Sequence, residues 1–316
     1  MDESGRDLVV VDKRSLSDAV VAVTLRPPSA QPLPPWSPGA HIDMVLGPDH
    51  LVRQYSLCGE PSDRSRYEIA VLREPHGRGG SQYVHDILEV DDLVRIGGPR
   101  NKFELLASPR YVFVAGGIGI TPLLPMLATV AAAENTHWRL LYGGRSRESM
   151  VFVDELARYG GRVALCPEDE SGLPDLAALL GTPTEDTLVY SCGPEPMLAA
   201  VEKLCTAWPS GALHIERFAP GPPAEHVNVP FEVTLEKSGI TLKIPADRSI
   251  LEVVEEAGIP AMSSCGEGTC GTCEVSVLEG RPDHRDSVLS DEERDGCAMM
   301  MVCVSRAEGG RLVLDL

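Results

Sequence analysis

Three cysteines in the last third of the chain restrict its fold and chemistry more than any other feature. Cys265, Cys270 and Cys273 follow the spacing C-x4-C-x2-C, with glycines between them. This is the plant-type spacing of thiolates that hold a [2Fe–2S] cluster. Thiolate sulfurs are soft donors that suit iron, and the glycines let backbone N–H groups approach those sulfurs. The segment therefore predicts a [2Fe–2S] cluster in the C-terminal part of the chain.

A fourth thiolate must come from outside this loop, and two cysteines are candidates. Cys303 lies in the apolar run 299–304, which can pack beside the loop, whereas Cys297 follows a polar Asp-Gly pair. We favour Cys303 and keep Cys297 as the alternative. A zinc site is a second interpretation, but zinc knuckles usually combine two separated C-x2-C pairs, and this chain has one.

The charge of the chain limits its partners. Its 316 residues include 28 Lys and Arg against 47 Asp and Glu, a net charge of −19, which repels nucleic acids and anionic membranes. Residues 226–316 carry 8 basic against 17 acidic side chains, a net charge of −9, so this part has either a solvated acidic surface or a docking face for a basic partner. No apolar run reaches the roughly 18–20 residues of a membrane span, and the polar N-terminus lacks a signal-peptide pattern. We expect a cytoplasmic protein that binds neither membrane nor nucleic acid.

The hydrophobic pattern divides the chain into three parts. Residues 1–104 contain short strand-like runs with Gly/Pro turns and one short helix near 80–88, which predicts an antiparallel β-barrel. Residues 105–224 alternate apolar strands with helical stretches, which predicts a parallel α/β domain. Residues 225–316 indicate a small α+β domain around the cysteine loop, and the proline-rich segment 219–225 indicates a linker before it.

A glycine-rich turn follows the first apolar strand of the second part. Gly116, Gly117 and Gly119 let the backbone approach a pyrophosphate closely, and the following helix adds a favourable dipole. Thr121 is placed to cap this helix and Pro122 to fill its first turn. The turn predicts a dinucleotide site, although Pro122 stands where G-x-G-x-x-G would have its third glycine.

A later strand of the same part ends in the sequence Cys192-Gly193-Pro194. Because ligands of open parallel sheets bind beyond the carboxyl ends of the strands, Cys192 should face the same crevice as the glycine turn. The alternative is a small buried apolar residue. Arg145 or Arg147, after another strand, can meet the 2′-phosphate of NADPH or form a basic surface turn.

Two motifs in the first part indicate a flavin. Arg53 can bind a phosphate, Tyr55 can lie along an isoalloxazine ring, and Ser56 can donate to the polar edge of that ring. The segment 77–81, with the sequence GRGGS, opens the short helix as a second anion site. Either motif alone is weak, but their order along the chain makes them specific together.

With these motifs in this order, the sequence resembles the phthalate dioxygenase reductase type of flavin/iron–sulfur reductase, which includes the vanillate O-demethylase reductase subunits. It is also similar to the reductase portion of self-sufficient bacterial P450 fusions. The resemblance implies an FMN-binding barrel, an NAD domain and a plant-type ferredoxin domain of the β-grasp fold. The matching stretches are residues 38–43, 53–58, 77–81, 98–101, 116–122, 192–194 and 265–306.

The resemblance also implies roles for single residues. It makes Cys303, rather than Cys297, the last cluster ligand. It places Phe218 near the flavin or nicotinamide, with core packing as the alternative. Cys192, at the nicotinamide site, and Phe218 are therefore the two candidate catalytic residues. The predicted binding residues are Arg53, Gln54, Tyr55, Ser56, Gly79, Gly80 and Ser81 for FMN, Gly116, Gly117, Gly119, Thr121, Arg145, Cys192, Gly193 and Pro194 for the dinucleotide, and Cys265, Cys270, Cys273 and Cys303 for the cluster.

The three cofactors together predict a reductase that converts electron pairs into single electrons. Nicotinamide gives a hydride, the flavin accepts the pair and releases it in steps, and the cluster carries one electron. The chain has no Rieske C-x-H pair, so we expect it to serve a separate oxygenase of the P450 or Rieske type that docks near the acidic ferredoxin domain. We expect NADH, with NADPH possible. The alternative function is a flavin-free [2Fe–2S] electron carrier or redox sensor.

Overall fold

The computed structural model describes residues 5–29, 31–48, 50–220 and 227–316. The chain forms two compact units, Met1–Glu216 and Arg217–Leu316. The first unit contains an antiparallel and a parallel sheet, and the second unit contains a mixed sheet. Residues 221–225 of the predicted linker lie outside the described residues. The domain boundaries after residues 104 and 224 stay predictions.

The first sheet is a six-stranded antiparallel barrel with the strand order β4-β3-β6-β1-β2-β5. Leu57 forms a bridge with Ile69, which joins the two edge strands and closes the barrel. The sequence pattern does not reveal β1, because two register shifts against β2 interrupt its alternation of apolar and polar residues. The elements are β1 (Arg6–Ser17), β2 (Val20–Arg26), β3 (Ala40–Leu46), β4 (Leu51–Ser56), β5 (Tyr67–Leu72), α1 (Gly80–Asp86) and β6 (Leu93–Asn101).

The second sheet of the first unit has five parallel strands in the order β11-β10-β7-β8-β9. Its central strand β7 is buried on both faces, since helices cover the sheet on each side. The winding direction changes between β7 and β10, which makes this the point where a crevice opens at the carboxyl ends of the strands. The elements are β7 (Arg110–Gly116), α2 (Leu123–Ala132), β8 (His137–Gly144), α3 (Val153–Ala157), β9 (Val163–Pro167), α4 (Glu168–Ser171), α5 (Leu176–Leu180), β10 (Thr187–Cys192), α6 (Glu195–Cys205) and β11 (Leu213–Glu216).

The second unit is an α+β domain whose five-stranded sheet has the order β13-β12-β18-β14-β16. Strands β12 and β18 are parallel, and the other pairs are antiparallel. Ser249 and Glu252 form a reciprocal capping box that starts α7. The elements are β12 (Phe231–Leu235), β13 (Ile240–Ile244), α7 (Ile250–Glu256), β14 (Glu274–Glu279), β15 (Pro282–Asp283), α8 (Asp291–Gly296), β16 (Met299–Met301), β17 (Arg306–Ala307) and β18 (Arg311–Leu314).

Two features of the second unit hold the segment around Cys303 in place. Met300 and Met301 are fully buried in the core of the unit, so the methionine run is a core strand that leads directly to this cysteine. Arg306 is 5% exposed, and its guanidinium donates to the carbonyl oxygens of Arg248 (2.6 Å) and Pro245 (2.7 Å) and, at 3.3 Å, to that of Val229. A single buried cation thus joins three backbone segments.

Among the described residues, no helix is long and apolar enough to span a bilayer. The cytoplasmic location stays a prediction.

Candidate functional site

The glycine turn and Cys192 lie at the same edge of the parallel sheet. Cys192 ends β10 and is in register with Ala115 of β7, directly before the turn. On its other side, Cys192 is in register with Glu216, the last residue of β11. The predicted crevice therefore lies at the point where the winding of the sheet changes direction.

Close packing against residues 192–197 explains two of the three glycines in the turn. A Cβ atom on Gly119 would lie 2.2 Å from the carbonyl oxygen of Cys192, and one on Gly116 would lie 2.5 Å from Cδ of Pro194. Gly117 differs, because its φ is +52° and a Cβ atom there would meet nothing within 4 Å. The turn is thus packed on one side and open at Gly117, as a backbone cradle for a phosphate needs to be.

Thr121 does not cap the helix after the turn, and that prediction is wrong. A 3-10 turn over Gly117–Ile120 precedes the helix, which begins only at Leu123 with Pro122 at its N-cap. The Thr121 hydroxyl donates to the carbonyl oxygen of Ile118 at 2.9 Å, and the residue is 2% exposed. It therefore stabilises the turn from inside.

One residue of this site, Glu216, is not predicted from the sequence. The Oε2 atom of Glu216 is enclosed and has no hydrogen-bond partner among the described residues, although the residue as a whole is only partly buried. Burial raises the pKa of this carboxyl group to about 8, and a hydrogen bond with the Ser56 hydroxyl lowers it in part. Burial and the Glu216 charge together raise the pKa of the Cys192 thiol. A glutamate that ends a strand beside a predicted site residue was the available signal.

The two flavin motifs meet beside strand β4. Arg53 donates to the carbonyl oxygen of Arg78 at 2.7 Å, and a Cβ atom on Gly80 would lie 2.5 Å from Cγ of Arg53. Gly79 has a φ of +83° at the start of α1. The Ser81 hydroxyl accepts the backbone N–H of Glu74 at 3.0 Å, so it braces the loop.

The neighbours of Arg53 on β4 face different surroundings. Gln54 donates to Oδ1 of the buried Asp43 at 2.9 Å, and Arg100 donates to the other oxygen of that carboxylate at 2.5 Å. Ser56 is buried beside Glu216. Burial raises the pKa of Tyr55 to about 12 against the opposing effect of Arg53. Gln54 is thus part of an internal polar cluster of the barrel.

The four predicted cluster ligands meet in the second unit. All four residues are buried, with 3–8% of their surface exposed: Cys265, Cys270, Cys273 and Cys303. Hydrogen bonds with Cys270 and Cys303 lower the pKa of Cys265, and contact with Cys265 and Cys273 raises that of Cys303.

Backbone N–H groups point at these sulfurs. The N–H of Glu267 donates to Sγ of Cys265 at 3.3 Å, and the N–H of Thr272 donates to Sγ of Cys270 at 3.5 Å. In the part of the chain that the structure describes, no three His, Cys, Asp or Glu side chains are arranged around a single metal ion. A two-iron cluster is wider than one ion, since each iron takes two of the four thiolates. The donor set and its N–H groups fit such a cluster.

Cys297 lies apart from this group. It ends α8 in the left-handed conformation, and its thiol donates to the carbonyl oxygen of Arg294 at 3.3 Å.

Comparison with known proteins identifies the family. Three family models match: "Oxidoreductase FAD-binding domain" over residues 7–105, "Oxidoreductase NAD-binding domain" over 113–165 and "2Fe-2S iron-sulfur cluster binding domain" over 233–308. The phthalate 4,5-dioxygenase oxygenase reductase subunit of Pseudomonas putida is 40% identical over 321 residues, which cover 100% of this chain and 98% of that protein. The chain belongs to the phthalate dioxygenase reductase family.

Two solved structures extend this result. One is a phthalate dioxygenase reductase, described as a modular structure for electron transfer from pyridine nucleotides to [2Fe–2S]. Its TM-score is 0.73 at 37% identity, and the match covers 100% of this chain and 99% of that protein. An intact type IV self-sufficient cytochrome P450 monooxygenase has a TM-score of 0.93 at 45% identity over 99% of this chain. The match covers only 41% of that fusion protein.

As a member of the phthalate dioxygenase reductase family, the chain is an oxidoreductase with flavin-, NAD- and [2Fe–2S]-binding domains. The predicted fold class and cofactor classes are confirmed. The flavin-domain match over residues 7–105 contradicts the flavin-free alternative.

Three predicted residues of this reductase lie on its surface. Phe218 is 47% exposed in the second unit, so it is not a core residue, and its catalytic role stays a prediction. Arg145 is exposed after β8. Arg147 forms a two-point ion pair with Glu170 at 3.0 and 2.8 Å.

Proposed function

We propose that this chain is an NADH-dependent reductase that delivers single electrons to a separate oxygenase. The observation that carries the proposal is that one chain holds both a dinucleotide crevice with an enclosed carboxyl group and a site of four buried thiols. When bound, FMN would supply the conversion of the electron pair of one hydride into single electrons, and the cluster would supply one-electron transfer. The side chains bind and orient the cofactors and shield them from water, and none of these side chains needs to act as a nucleophile.

The parallel sheet holds the nicotinamide dinucleotide in this proposal. The open backbone at Gly117 receives the pyrophosphate, and Gly116 and Gly119 keep the turn close to the end of β10. Cys192, with Gly193 and Pro194, forms the wall of the nicotinamide pocket. Because Cys192 is fully buried and its pKa is raised, it stays a neutral thiol that excludes water.

The barrel holds the flavin. Arg53, Gly79 and Gly80 would hold the FMN phosphate, and Tyr55 would pack on the ring system. The Ser56 hydroxyl and the Glu216 carboxyl group, which share a hydrogen bond, would supply polar contacts to the ring of a bound flavin. With a pKa of about 8, Glu216 keeps its proton at neutral pH and can exchange it through Ser56.

The acidic end of α4 supports NADH as the coenzyme. Glu170 occupies the guanidinium of Arg147 in a two-point ion pair, so Arg147 is not available to a phosphate. The negative charge of the Glu170 carboxylate also repels the 2′-phosphate of NADPH. This leaves Arg145 as the remaining candidate for a phosphate contact. We expect kcat/KM to be higher for NADH than for NADPH, and a clear NADPH advantage would refute this choice.

The acidic second unit supports docking of a basic oxygenase near the cluster loop. Glu255 of α7 accepts a hydrogen bond from the Ser263 hydroxyl at 3.3 Å, two residues before Cys265. Met262 beside it is 55% exposed. We expect Glu255→Lys to slow reduction of the oxygenase and to reduce its salt dependence. The matched control is Glu279→Lys at the far end of β14, roughly 17 Å from the cluster end of that strand.

The electron path is tested with two acceptors. Wild-type protein loaded with FMN and cluster should reduce both ferricyanide and cytochrome c with NADH. Cys303→Ser should keep the ferricyanide activity, which needs only the flavin, and lose the cytochrome c activity, which needs the cluster. Absence of both activities in the loaded wild type would refute the reductase function.

The class of the oxygenase is open between P450 and Rieske types. The 45% identity to the P450 fusion favours a P450, whereas the curated relatives include a dioxygenase reductase subunit. The absorption spectrum of the protein that accepts electrons from this chain distinguishes the two, because a haem Soret band and a Rieske spectrum differ.

A further inference from the structure

A buried carboxylate lies behind the cysteine loop and is not one of the proposed cluster ligands. Asp286 is 4% exposed, and its side chain is fully enclosed. Its Oδ2 atom accepts the N–H groups of Val288 at 3.1 Å and Leu289 at 2.8 Å, and Oδ1 accepts the Ser305 hydroxyl at 3.4 Å. All three donors are neutral.

Asp286 packs directly on the loop that carries the first two cysteines. A Cβ atom on Gly268, which has a φ of +69°, would lie 3.0 Å from Cα and 3.2 Å from Cβ of Asp286. The N–H of Ser287 donates to the carbonyl oxygen of Gly268 at 2.8 Å. Since Ser305 lies two residues after Cys303, the same carboxylate is connected to both ligand-bearing segments.

Among the described residues, no Lys or Arg forms an ion pair with the Asp286 carboxylate, and the basic side chain beside it is His284. Arg285 pairs with Asp283 at 2.6 Å, and Arg294 donates to the main-chain oxygen of Asp286, also at 2.6 Å, rather than to the carboxylate. Nδ1 of the buried His284 lies 3.8 Å from Oδ1, beyond hydrogen-bond distance. The Asp286 carboxylate therefore lies in the protein interior against the loop, and neutral groups donate all of its hydrogen bonds.

We propose that Asp286 is a positioning residue that connects the cysteine loop to the Cys303 segment and lowers the reduction potential of the cluster. The inference rests on the proposed [2Fe–2S] site. Adding an electron to a cluster beside a fixed negative charge is unfavourable, and the charge acts strongly because little water screens it. A lower potential makes the reduced cluster a stronger donor to the oxygenase.

The test is the midpoint potential of the cluster in purified, loaded protein, measured by a redox titration monitored by electron paramagnetic resonance. Asp286→Asn removes the charge and keeps the size of the side chain. We expect the equilibrium constant for reduction of the cluster to be about tenfold larger in this variant than in the wild type. This corresponds to a midpoint potential that is about 59 mV higher for one electron. Asp286→Ser is a second neutral variant that keeps an oxygen acceptor for the two N–H groups.

Two controls separate charge from loop structure. Asp295→Asn removes the same charge from an exposed position of α8, where water screens it, and should leave the potential unchanged. Ser305→Ala removes one hydrogen bond to Asp286 but keeps the charge, so the potential should not rise.

Several outcomes would overturn the proposal. An unchanged potential in the neutral variants does so, and so does an equal rise in Ser305→Ala. If both neutral variants lose the cluster while Asp295→Asn keeps it, Asp286 serves loop folding alone. Failure of the proposed function is visible separately, as a wild-type protein whose absorption spectrum shows no cluster.

Discussion

In the first unit, the site is assembled from segments far apart in the sequence, whereas in the second unit most of the site is one loop. Ser56, Cys192 and Glu216 belong to three different strands and meet only when both sheets have formed. Three of the four cluster thiols lie between Cys265 and Cys273. The first site therefore depends on sheet packing, and the second depends on the one distant thiol and on the contacts that hold its segment in place. Substitutions in the two units test this difference, from the largest expected effect to the smallest.

Loss of the distant thiol should abolish the second site. We expect Cys303→Ser to leave the protein without cluster iron, because only three thiolates remain. The measurement is the iron content together with the visible absorption spectrum. Cys297→Ser is the control and should retain the full cluster, since that thiol bonds to the carbonyl oxygen of Arg294. A cluster that survives loss of Cys303 but not of Cys297 would reverse the assignment.

Removing the buried cation of the second unit should destabilise that unit alone. Arg306→Met leaves three carbonyl oxygens without their donor, at a cost of about 4 kcal/mol. We expect a lower unfolding transition for the second unit and unchanged ferricyanide reduction by the first. Arg281→Met is the control, because Arg281 has a 67% exposed side chain and a surface ion pair with Glu308 that contributes at most about 1 kcal/mol. Equal effects of the two substitutions would contradict the role of Arg306.

Two glycines of the same turn should respond differently to alanine. In Gly119→Ala the new methyl group meets the backbone of Cys192, and we expect a loss of about 3 kcal/mol in stability. In Gly117→Ala only the left-handed backbone is strained, at about 1 kcal/mol, but the methyl group enters the proposed pyrophosphate site and should raise KM for NADH. Thermal unfolding and steady-state kinetics separate the two effects. A Gly117→Ala variant with unchanged KM would remove Gly117 from the binding site.

The carboxyl group of Glu216 should make stability depend on pH. Its pKa of about 8 lies above the ordinary value of 4.5, so the folded state binds the proton more tightly than the unfolded state does. Between pH 4.5 and 8 the wild type should therefore lose stability progressively relative to Glu216→Gln, with no further loss above pH 8. The difference in Tm between the two proteins from pH 5 to 9 measures this. A difference that is constant with pH would show that the group does not titrate in this range.

The local features of the fold and the sites follow from the sequence. The cysteine loop, the glycine turn and the strand periods identify the cluster, the dinucleotide edge and the fold class, because each depends on residues close together in the chain. The role of Thr121 was not predictable from spacing, since a 3-10 turn separates it from the helix it was expected to cap. The roles of Glu216 and Asp286 could not be predicted from the sequence for another reason. An acidic residue has the same sequence pattern whether it is solvated or buried, and only the packing of distant segments decides between the two.

The position of β18 has a consequence for how the protein is made. This strand occupies the middle of the sheet of the second unit, between β12 and β14, yet the ribosome makes it after every other strand of that unit. The unit therefore cannot complete its sheet while β18 is still within the ribosomal tunnel, although the first unit can already fold outside. Iron and sulfide must then be inserted into a domain that completes its sheet late, when the flavin and dinucleotide sites can already be in place.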